Sequence, residues 1–259
     1  MSGPPPPIPP RPAHLLPPAP PPLAPQAPPP YPPPSLLGPL IADGSEPKSG
    51  VLEKGIKWQA SGILEDAANM PGQQVYIQRP LTIHLGGPNQ CIDEKGRQRT
   101  EILSWPPAVA GETWSYTWKF HLHPCLPSSS KFFHLMQLFS RESKGFVVAL
   151  GFVQNKIRIA SQLPPLLDAQ GGVVPLPEIP IEEYWGRTVV HRCVVRWGER
   201  GSVDYSLSDA VTSQLLLRYA VQDVHVPAQG SIKFGLYRAH VCSPASAVLG
   251  DIEFRKLSG

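Results

Sequence analysis

The chain has 259 residues, of which 35 are proline and 41% are hydrophobic, and its formal net charge is +3. The Lys and Arg residues are spread along the chain without forming a basic block, so the sequence does not indicate a nucleic-acid-binding protein. No apolar run reaches the roughly 18 residues that a membrane span requires, so we expect no membrane partner.

Residues 1–50 carry 21 of the 35 prolines, in runs such as GPPPPIPPRP and APPPYPPPS. Because proline lacks a backbone donor and the segment has little apolar surface, we predict that it is disordered or forms polyproline II. A low-complexity tail is favoured, and a ligand for proline-binding grooves is the alternative. Prolines stand where a signal peptide would have an apolar region, so the sequence does not support secretion. Residues 51–259 suit one domain.

The four cysteines are far apart and show no CxxC and no nearby His at metal-ligand spacing, so we expect no metal site. Three disulfide pairings are possible, and the lack of a signal segment weakens all of them. We therefore expect mostly buried thiols, Cys193 above all. The cysteines are Cys91, Cys125, Cys193 and Cys242.

From about residue 50 onward the pattern is that of β-strands. The clearest strand is TWSYTWKFHL, in which Trp114, Trp118 and Leu122 lie on an apolar stripe that alternates with polar residues. LSDAVTSQLLLRYAVQ is predicted to be a hairpin because its second half alternates, and GILEDAANM is predicted to be a short helical turn. The other predicted strands are QVYIQR, LTIHL, RTEIL, KFFHLMQLF, GFVVALGFV, NKIRIA, RTVVHRCVVRW, SVDYSLS, SIKFGLYR and GDIEFRK.

About ten strands with almost no helix predict an all-β fold, a two-sheet antiparallel β-sandwich or β-jelly roll. Such a fold binds ligands where one sheet exposes a polar face. Arg99 and Glu101 share a face of their strand, and Lys233 and Tyr237 share a face of theirs, with Gly235 between them leaving room for a ligand.

His134 and Gln137 are three residues apart on one predicted strand. Regular alternation puts them on opposite faces, so at most one of them faces a cleft unless a bulge intervenes.

In chain order, RTE, a long W.Y.W.F.L strand, a strand with a central Gln and the C-terminal IKFGLYR resemble the motifs of a known family. That family is the jelly-roll polysaccharide lyases, the alginate, glucuronan and heparin lyase group, which has a concanavalin A-like fold. Its motifs read like R(S/T)E(L), then Q-x-H, then (Y)FKxGxYxQ or KxGxYR. The resemblance spans roughly residues 55 to 256 and leaves the proline-rich segment unexplained.

The resemblance implies β-elimination on an acidic, uronic-acid-containing polysaccharide, without a cofactor, and an extracellular location. It implies that Arg99 binds the sugar carboxylate, that Gln137 assists it and that Tyr237 transfers protons. A Tyr near a cation suits this task because the positive charge lowers the pKa of a phenol from about 10. The residues expected to bind substrate are Lys233, Arg238, Glu101, His134 and Trp185.

One departure from the family pattern concerns the base. When Gln137 is aligned with the Gln of Q-x-H, Phe139 stands where those enzymes have a histidine. A base from elsewhere is then needed, and the sequence does not select among four candidates. These are His84, His121, His191 and His240.

Two functions therefore stay open: a lyase, and a non-catalytic, lectin-like carbohydrate-binding protein on the same scaffold. Glucanase-type hydrolysis is a weaker third, because it requires two carboxylates flanking the sugar and the strands offer no such cluster. Structural roles are the alternative for the individual residues: an ion pair for Arg99 and Glu101, a surface position for Tyr237 and an edge position for Lys233. The sequence does not define the polymer or the oligomeric state.

Overall fold

A computed structural model of the chain describes residues 38–259, except for 53–55, 87–91, 93–94 and 125–128. The proline-rich residues 1–37, together with Cys91 and Cys125, lie outside the described residues, so the disorder of that segment stays a prediction. The described part contains one short 3-10 helix, Ile181–Glu183, and no helix long and apolar enough to cross a membrane.

The strands are β1 (Leu40–Asp43), β2 (Lys48–Val51), β3 (Ile56–Ala60), β4 (Ile63–Glu65), β5 (Pro80–Leu85), β6 (Arg97–Ser104), β7 (Ala108–Val109), β8 (Thr113–Leu122), β9 (Phe133–Ser140), β10 (Phe146–Val153), β11 (Lys156–Ser161), β12 (Glu178–Pro180), β13 (Thr188–Arg196), β14 (Gly198–Asp209), β15 (Leu215–Val226), β16 (Gln229–Ala239) and β17 (Ala245–Ser258). They form two antiparallel sheets. The eight-stranded sheet has the order β1-β4-β5-β17-β8-β13-β14-β15. The nine-stranded sheet has the order β12-β11-β10-β9-β16-β6-β3-β2, with β7 paired to β16 beside this path. The predicted all-β, two-sheet sandwich is confirmed.

Aromatic side chains from both sheets form the core between them. Trp118 of β8 stacks on Phe234 of β16 with ring centroids 4.4 Å apart, and both are fully buried. Period-two alternation places Tyr116, Trp118 and Phe120 on the same side of β8, where all three are buried. Burial of each such ring contributes about 2 to 3 kcal/mol, so this stripe joins the two sheets.

Several sequence predictions are corrected by the structure. GILEDAANM contains β4, which is a strand because its backbone pairs with β1 and β5. QVYIQR forms no strand. β1 and β2 pair within the sheets, so the domain includes residues before the expected boundary at residue 51. Cys193 is buried as expected, whereas Cys242 is exposed. The predicted hairpin is confirmed as β14 and β15.

Candidate functional site

A cavity of about 430 Å³ lies on the nine-stranded sheet, on the face turned away from the core. Its floor comes from the neighbouring strands β9, β16 and β6. At its centre Tyr237 of β16 lies directly opposite Arg99 of β6 on one side and His134 of β9 on the other. Gln137 lies opposite Lys233 in the same way. Cross-strand pairing thus brings together five residues that are far apart in the sequence.

An irregularity at Leu135 turns His134 into the cavity. The ladder of β9 with β10 pairs Met136 with Leu150 and His134 with Gly151, so Leu135 is the extra residue of a bulge. The ladder of β9 with β16 also changes register at this point. Because the bulge resets the alternation, His134 and Gln137 share a face although they are three residues apart. Regular alternation would have put His134 and Gln137 on opposite faces, but the bulge intervenes and both line the cavity.

Gly235 is required by the backbone of its neighbour and not by an approaching ligand. Its φ is +139°, a value that favours glycine, and a Cβ built there would lie 2.3 Å from the Thr100 carbonyl oxygen. β16 and β6 therefore approach so closely at this point that no side chain fits. The consequence for the cavity is that Glu101, directly opposite Gly235, stands beside an empty position of β16.

Glu101 organises the amides of the cavity floor. It is buried, at 2% exposure, and its carboxylate accepts a hydrogen bond from Gln137 Nε2 at 2.8 Å and a longer one from Gln59 Nε2 at 3.3 Å. The amide oxygen of Gln59 in turn accepts a hydrogen bond from Arg99 Nη1 at 3.4 Å. Glu101 was predicted to bind substrate or to form an ion pair with Arg99. In the structure Gln59, which the sequence did not point to, connects Glu101 to Arg99.

Lys233 lies beside Glu101 and over an aromatic ring. Its Nζ is 3.9 Å from the centroid of Phe139, which is a cation–π contact. Burial lowers the pKa of Lys233; the Glu101 carboxylate opposes this shift, and the charge of Arg99 adds to it. Phe139 thus covers the lysine at the position where the family motif has its histidine.

Tyr237 is held between cations and aromatic rings. The guanidinium carbons of Arg97 and Arg99 lie 5.3 and 4.8 Å from its ring centroid, and the ring of Phe132 is 5.2 Å away. The ring of His134 meets it in a T-shaped arrangement at 5.9 Å. With 9% exposure, Tyr237 is not an ordinary surface tyrosine.

The imidazole of His134 is packed among aromatic side chains. The ring centroids of Phe132 and Phe146 lie 5.3 and 5.4 Å from it. Burial lowers the pKa of His134, and a hydrogen bond with Gln137 opposes that shift without cancelling it. At neutral pH the imidazole is therefore uncharged and able to accept a proton.

The cavity is strongly basic. Among its described lining residues there are five Lys and Arg side chains and a single carboxylate, that of Glu101. The basic residues are Lys95, Arg97, Arg99, Lys144 and Lys233. A lone carboxylate does not provide the pair that glycosidic hydrolysis requires, whereas the excess of positive charge suits an anionic ligand.

Two residues predicted to bind substrate lie elsewhere. The buried guanidinium of Arg238 points away from Tyr237, because adjacent residues of a strand face opposite sides, and it donates to Gln98 Oε1 and to the Ser243 carbonyl oxygen. Its role is to fix the segment that follows β16. Trp185 follows the 3-10 helix and packs near Phe152 with ring centroids 6.5 Å apart, outside the cavity lining.

The four histidines proposed as substitute bases are also absent from the cavity lining. His84 and His121 are buried in β5 and β8 of the other sheet. His191 is buried between the hydroxyl groups of Tyr184 and Tyr205, at 3.0 and 2.8 Å. His240 is exposed just after the end of β16. No group of three or more potential metal ligands occurs within the described ranges.

The chain matches no protein-family model, and no curated protein matches it. It is similar in structure to a family 7 alginate lyase in complex with substrate (TM-score 0.48, 13% identity, 73% of this chain and 83% of that chain). It is also similar to an endo-β-1,4-glucuronan lyase from the fungus Trichoderma reesei (TM-score 0.47, 11% identity, 70% and 82%) and to a cellulose-induced protein (TM-score 0.44, 14% identity, 83% and 93%). At these values the similarity assigns no role to any residue of this chain.

Proposed function

We propose that the cavity binds a uronic-acid residue of an acidic polysaccharide and cleaves the chain by β-elimination. The observation that carries the proposal is the pair His134 and Tyr237, two side chains capable of proton transfer that lie side by side in a cavity dominated by basic residues. This pairing, together with the motif order of the sequence, favours elimination over hydrolysis.

Elimination first requires that the sugar carboxylate be neutralised, so that the proton on the neighbouring ring carbon becomes acidic. Arg99 is placed for this task by its position opposite Tyr237 and by its hydrogen bond to Gln59. Gln137 is oriented by its bond to Glu101 and lies on the same floor. Both are held before substrate binds, and such preorganisation is what makes electrostatic stabilisation effective.

The proton must then leave the carbon, and another must reach the departing glycosidic oxygen. His134 suits the first transfer, because burial keeps its imidazole neutral at pH 7. Tyr237 suits the second, because its phenol is a proton donor and the guanidinium groups of Arg97 and Arg99 near its ring offset the negative charge that the transfer leaves. The carbon–hydrogen and carbon–oxygen bonds break, and a carbon–carbon double bond forms in the new terminal sugar.

A lectin-like protein is the second candidate. Phe139 stands where the family motif has its histidine, and its ring is in contact with the ammonium of Lys233. If His134 does not reach the ring-carbon proton, the cavity binds the polymer without cleaving it.

The test is incubation of the protein with alginate, glucuronan and heparin while the ultraviolet absorbance of unsaturated uronates is followed. Calorimetry on the same polymers measures binding. The proposal expects absorbance to rise with at least one polymer, and a His134→Asn variant to bind that polymer without the rise. Binding without any rise in the wild type supports the lectin-like alternative. If the protein binds none of the polymers and the absorbance rises with none of them, both functions are contradicted.

A further inference from the structure

Basic and aromatic side chains alternate in a row that begins in the cavity and continues beyond it. From the cavity outward this cation–aromatic row consists of Lys233, Phe139, Arg141, Trp105 and Lys57. Lys233 Nζ is 3.9 Å from the ring centroid of Phe139, and Arg141 Cζ is 5.6 Å from the centroids of both Phe139 and Trp105. At the outer end Lys57 Nζ is 3.4 Å from the centroid of Trp105, which is 42% exposed.

The outer part of the row is held in place. Arg141 Nε and Nη2 both donate to Ser231 Oγ, at 3.2 and 3.0 Å, and Ser231 is fully buried in β16. The backbone N–H of Arg141 donates to the Gln229 carbonyl oxygen. The guanidinium is therefore fixed by β16, and it shares the Trp105 ring with the ammonium of Lys57.

The charges of the two outer cations, Lys57 and Arg141, are available to an anionic ligand. Within the described ranges, no Asp or Glu forms an ion pair with Lys57 or Arg141. An aromatic face attracts a cation through its quadrupole but does not neutralise it. Two positive charges in contact with one exposed indole ring thus form a place where an anion gains from both.

The cation–aromatic row also extends the basic surface beyond the cavity by more than one sugar residue. Tyr237 and Ser231, which anchors Arg141, are six residues apart on β16, or about 20 Å at the rise of a strand. The part of the row that Ser231 anchors therefore does not bind the same sugar residue as Tyr237. A chain that occupies both must carry negative charge on sugars distant from the one beside Tyr237.

We propose that Lys57, Trp105 and Arg141 form a second anion-binding subsite, which takes the carboxylate of another uronic-acid residue of the same polymer chain. This inference rests on the proposed function. It narrows the substrate class to polyuronates that carry carboxylates on successive residues, and it disfavours neutral polymers with isolated uronic-acid branches. Trp105 acts as a positioning residue, because both cations are in contact with its ring.

The test compares binding of a polyglucuronate hexasaccharide, a polyglucuronate disaccharide and the carboxyl-reduced hexasaccharide by calorimetry. Lys57→Gln removes one outer charge, Trp105→Leu removes the ring that both outer cations contact, and Arg192→Gln removes one exposed charge from the eight-stranded sheet as a matched control. An unchanged urea midpoint shows that each variant is folded. If Trp105→Leu does not fold, Lys57→Gln alone still tests the subsite.

We expect Lys57→Gln to weaken hexasaccharide binding about fivefold, the effect of one partly exposed ion pair, and to change disaccharide binding less than about twofold. The control is expected to bind both as the wild type does, and the carboxyl-reduced hexasaccharide to bind weakly to all. If the wild type binds the hexasaccharide and Lys57→Gln binds it equally well, or weakens both oligosaccharides alike, the second subsite is refuted while the proposed function stands. If the wild type binds neither oligosaccharide and none of alginate, glucuronan and heparin, the proposed function fails and the subsite fails with it. If it binds one of the other polymers, the comparison is made with a hexasaccharide and a disaccharide of that polymer.

Discussion

His134 and Tyr237 face each other across the ladder of β9 and β16, with ring centroids 5.9 Å apart in a T-shaped arrangement. Two features of the backbone produce this pair: the bulge at Leu135, which turns His134 to the cavity, and the close approach at Gly235, which only glycine permits. Two groups capable of proton transfer are thereby set within one basic cavity.

The first prediction concerns the pH dependence of turnover. Because burial lowers the pKa of His134, the neutral imidazole persists below pH 6.5, and the acid limb of the kcat/KM profile should have its midpoint below that value. His134→Asn should lower kcat/KM about 100-fold or more, the usual contribution of general base catalysis, and remove that limb. His240→Asn, at an exposed position, is the control and should behave as the wild type does. An acid limb that persists in His134→Asn would assign it to another group.

The second prediction concerns the buried carboxylate of Glu101. Glu101→Gln removes a negative charge that favours the charged form of Lys233 and weakens the hydrogen bonds that Gln137 and Gln59 donate, so it should lower the free energy of unfolding by about 2 kcal/mol. Glu182→Gln, at an exposed position of the 3-10 helix, should change it by less than about 0.5 kcal/mol. Urea denaturation measures both. If Glu101→Gln and Glu182→Gln are equally stable, the carboxylate of Glu101 does not stabilise the folded protein.

The third prediction concerns Gly235. In Gly235→Ala the new Cβ meets the Thr100 carbonyl oxygen at 2.3 Å on a backbone with φ of +139°, so the free energy of unfolding should fall by about 3 kcal/mol or more. Gly145→Ala is the matched control, because a Cβ there would have only Ser143 Oγ within 4 Å, at 3.7 Å. Thermal unfolding of the two variants compares them. A Gly235→Ala protein as stable as Gly145→Ala would mean that β16 and β6 separate without cost.

The fourth prediction concerns His191 and acid stability. Burial lowers the pKa of His191 to about 3, so in the folded protein it stays neutral where the unfolded chain becomes protonated below about pH 6.5. The unfolded state then binds more protons, and stability is lost as the pH falls from 6.5 toward 3. Between pH 7 and pH 5, His191→Gln should lose about 2 kcal/mol less than the wild type in urea denaturation.

His240→Gln is the control for this comparison, because it replaces an exposed histidine. Its stability should fall with pH in parallel with the wild type. If the curve of His191→Gln is parallel as well, the buried imidazole is not the group that responds to acid.

The sequence was sufficient where a strand obeys simple alternation. TWSYTWKFHL is β8 from its first residue to its last, because its large apolar residues alternate without interruption. Short elements such as β4 could not be found this way, since three residues carry no period and the strand exists through its partners β1 and β5. Half of the cavity was found for the same reason, because Arg99, Lys233 and Tyr237 lie on β6 and β16, whose mutual ladder keeps its register.

The other half depends on irregular backbone. No pattern in FFHLMQLF announces that Leu135 is bulged, so the sequence could not decide whether His134 and Gln137 both face the cavity. Arg238 follows Tyr237 in the motif and was expected in the cavity, yet adjacent strand residues face opposite sides and its guanidinium fixes a loop instead. Gly235 in the facing strand was the signal available for irregular geometry near His134.

The role proposed for Tyr237 is the transfer of a proton in a polysaccharide elimination. It is tested by the turnover of one cleaved polyuronate by the wild type and by Tyr237→Phe, with the affinity of each protein for the same polymer determined by calorimetry. Tyr237→Phe should retain affinity within about threefold and lose kcat by about 100-fold or more, because the ring and its cation contacts remain while the transferable proton is gone. Turnover by Tyr237→Phe at the rate of the wild type, or parallel loss of binding and turnover, would contradict it.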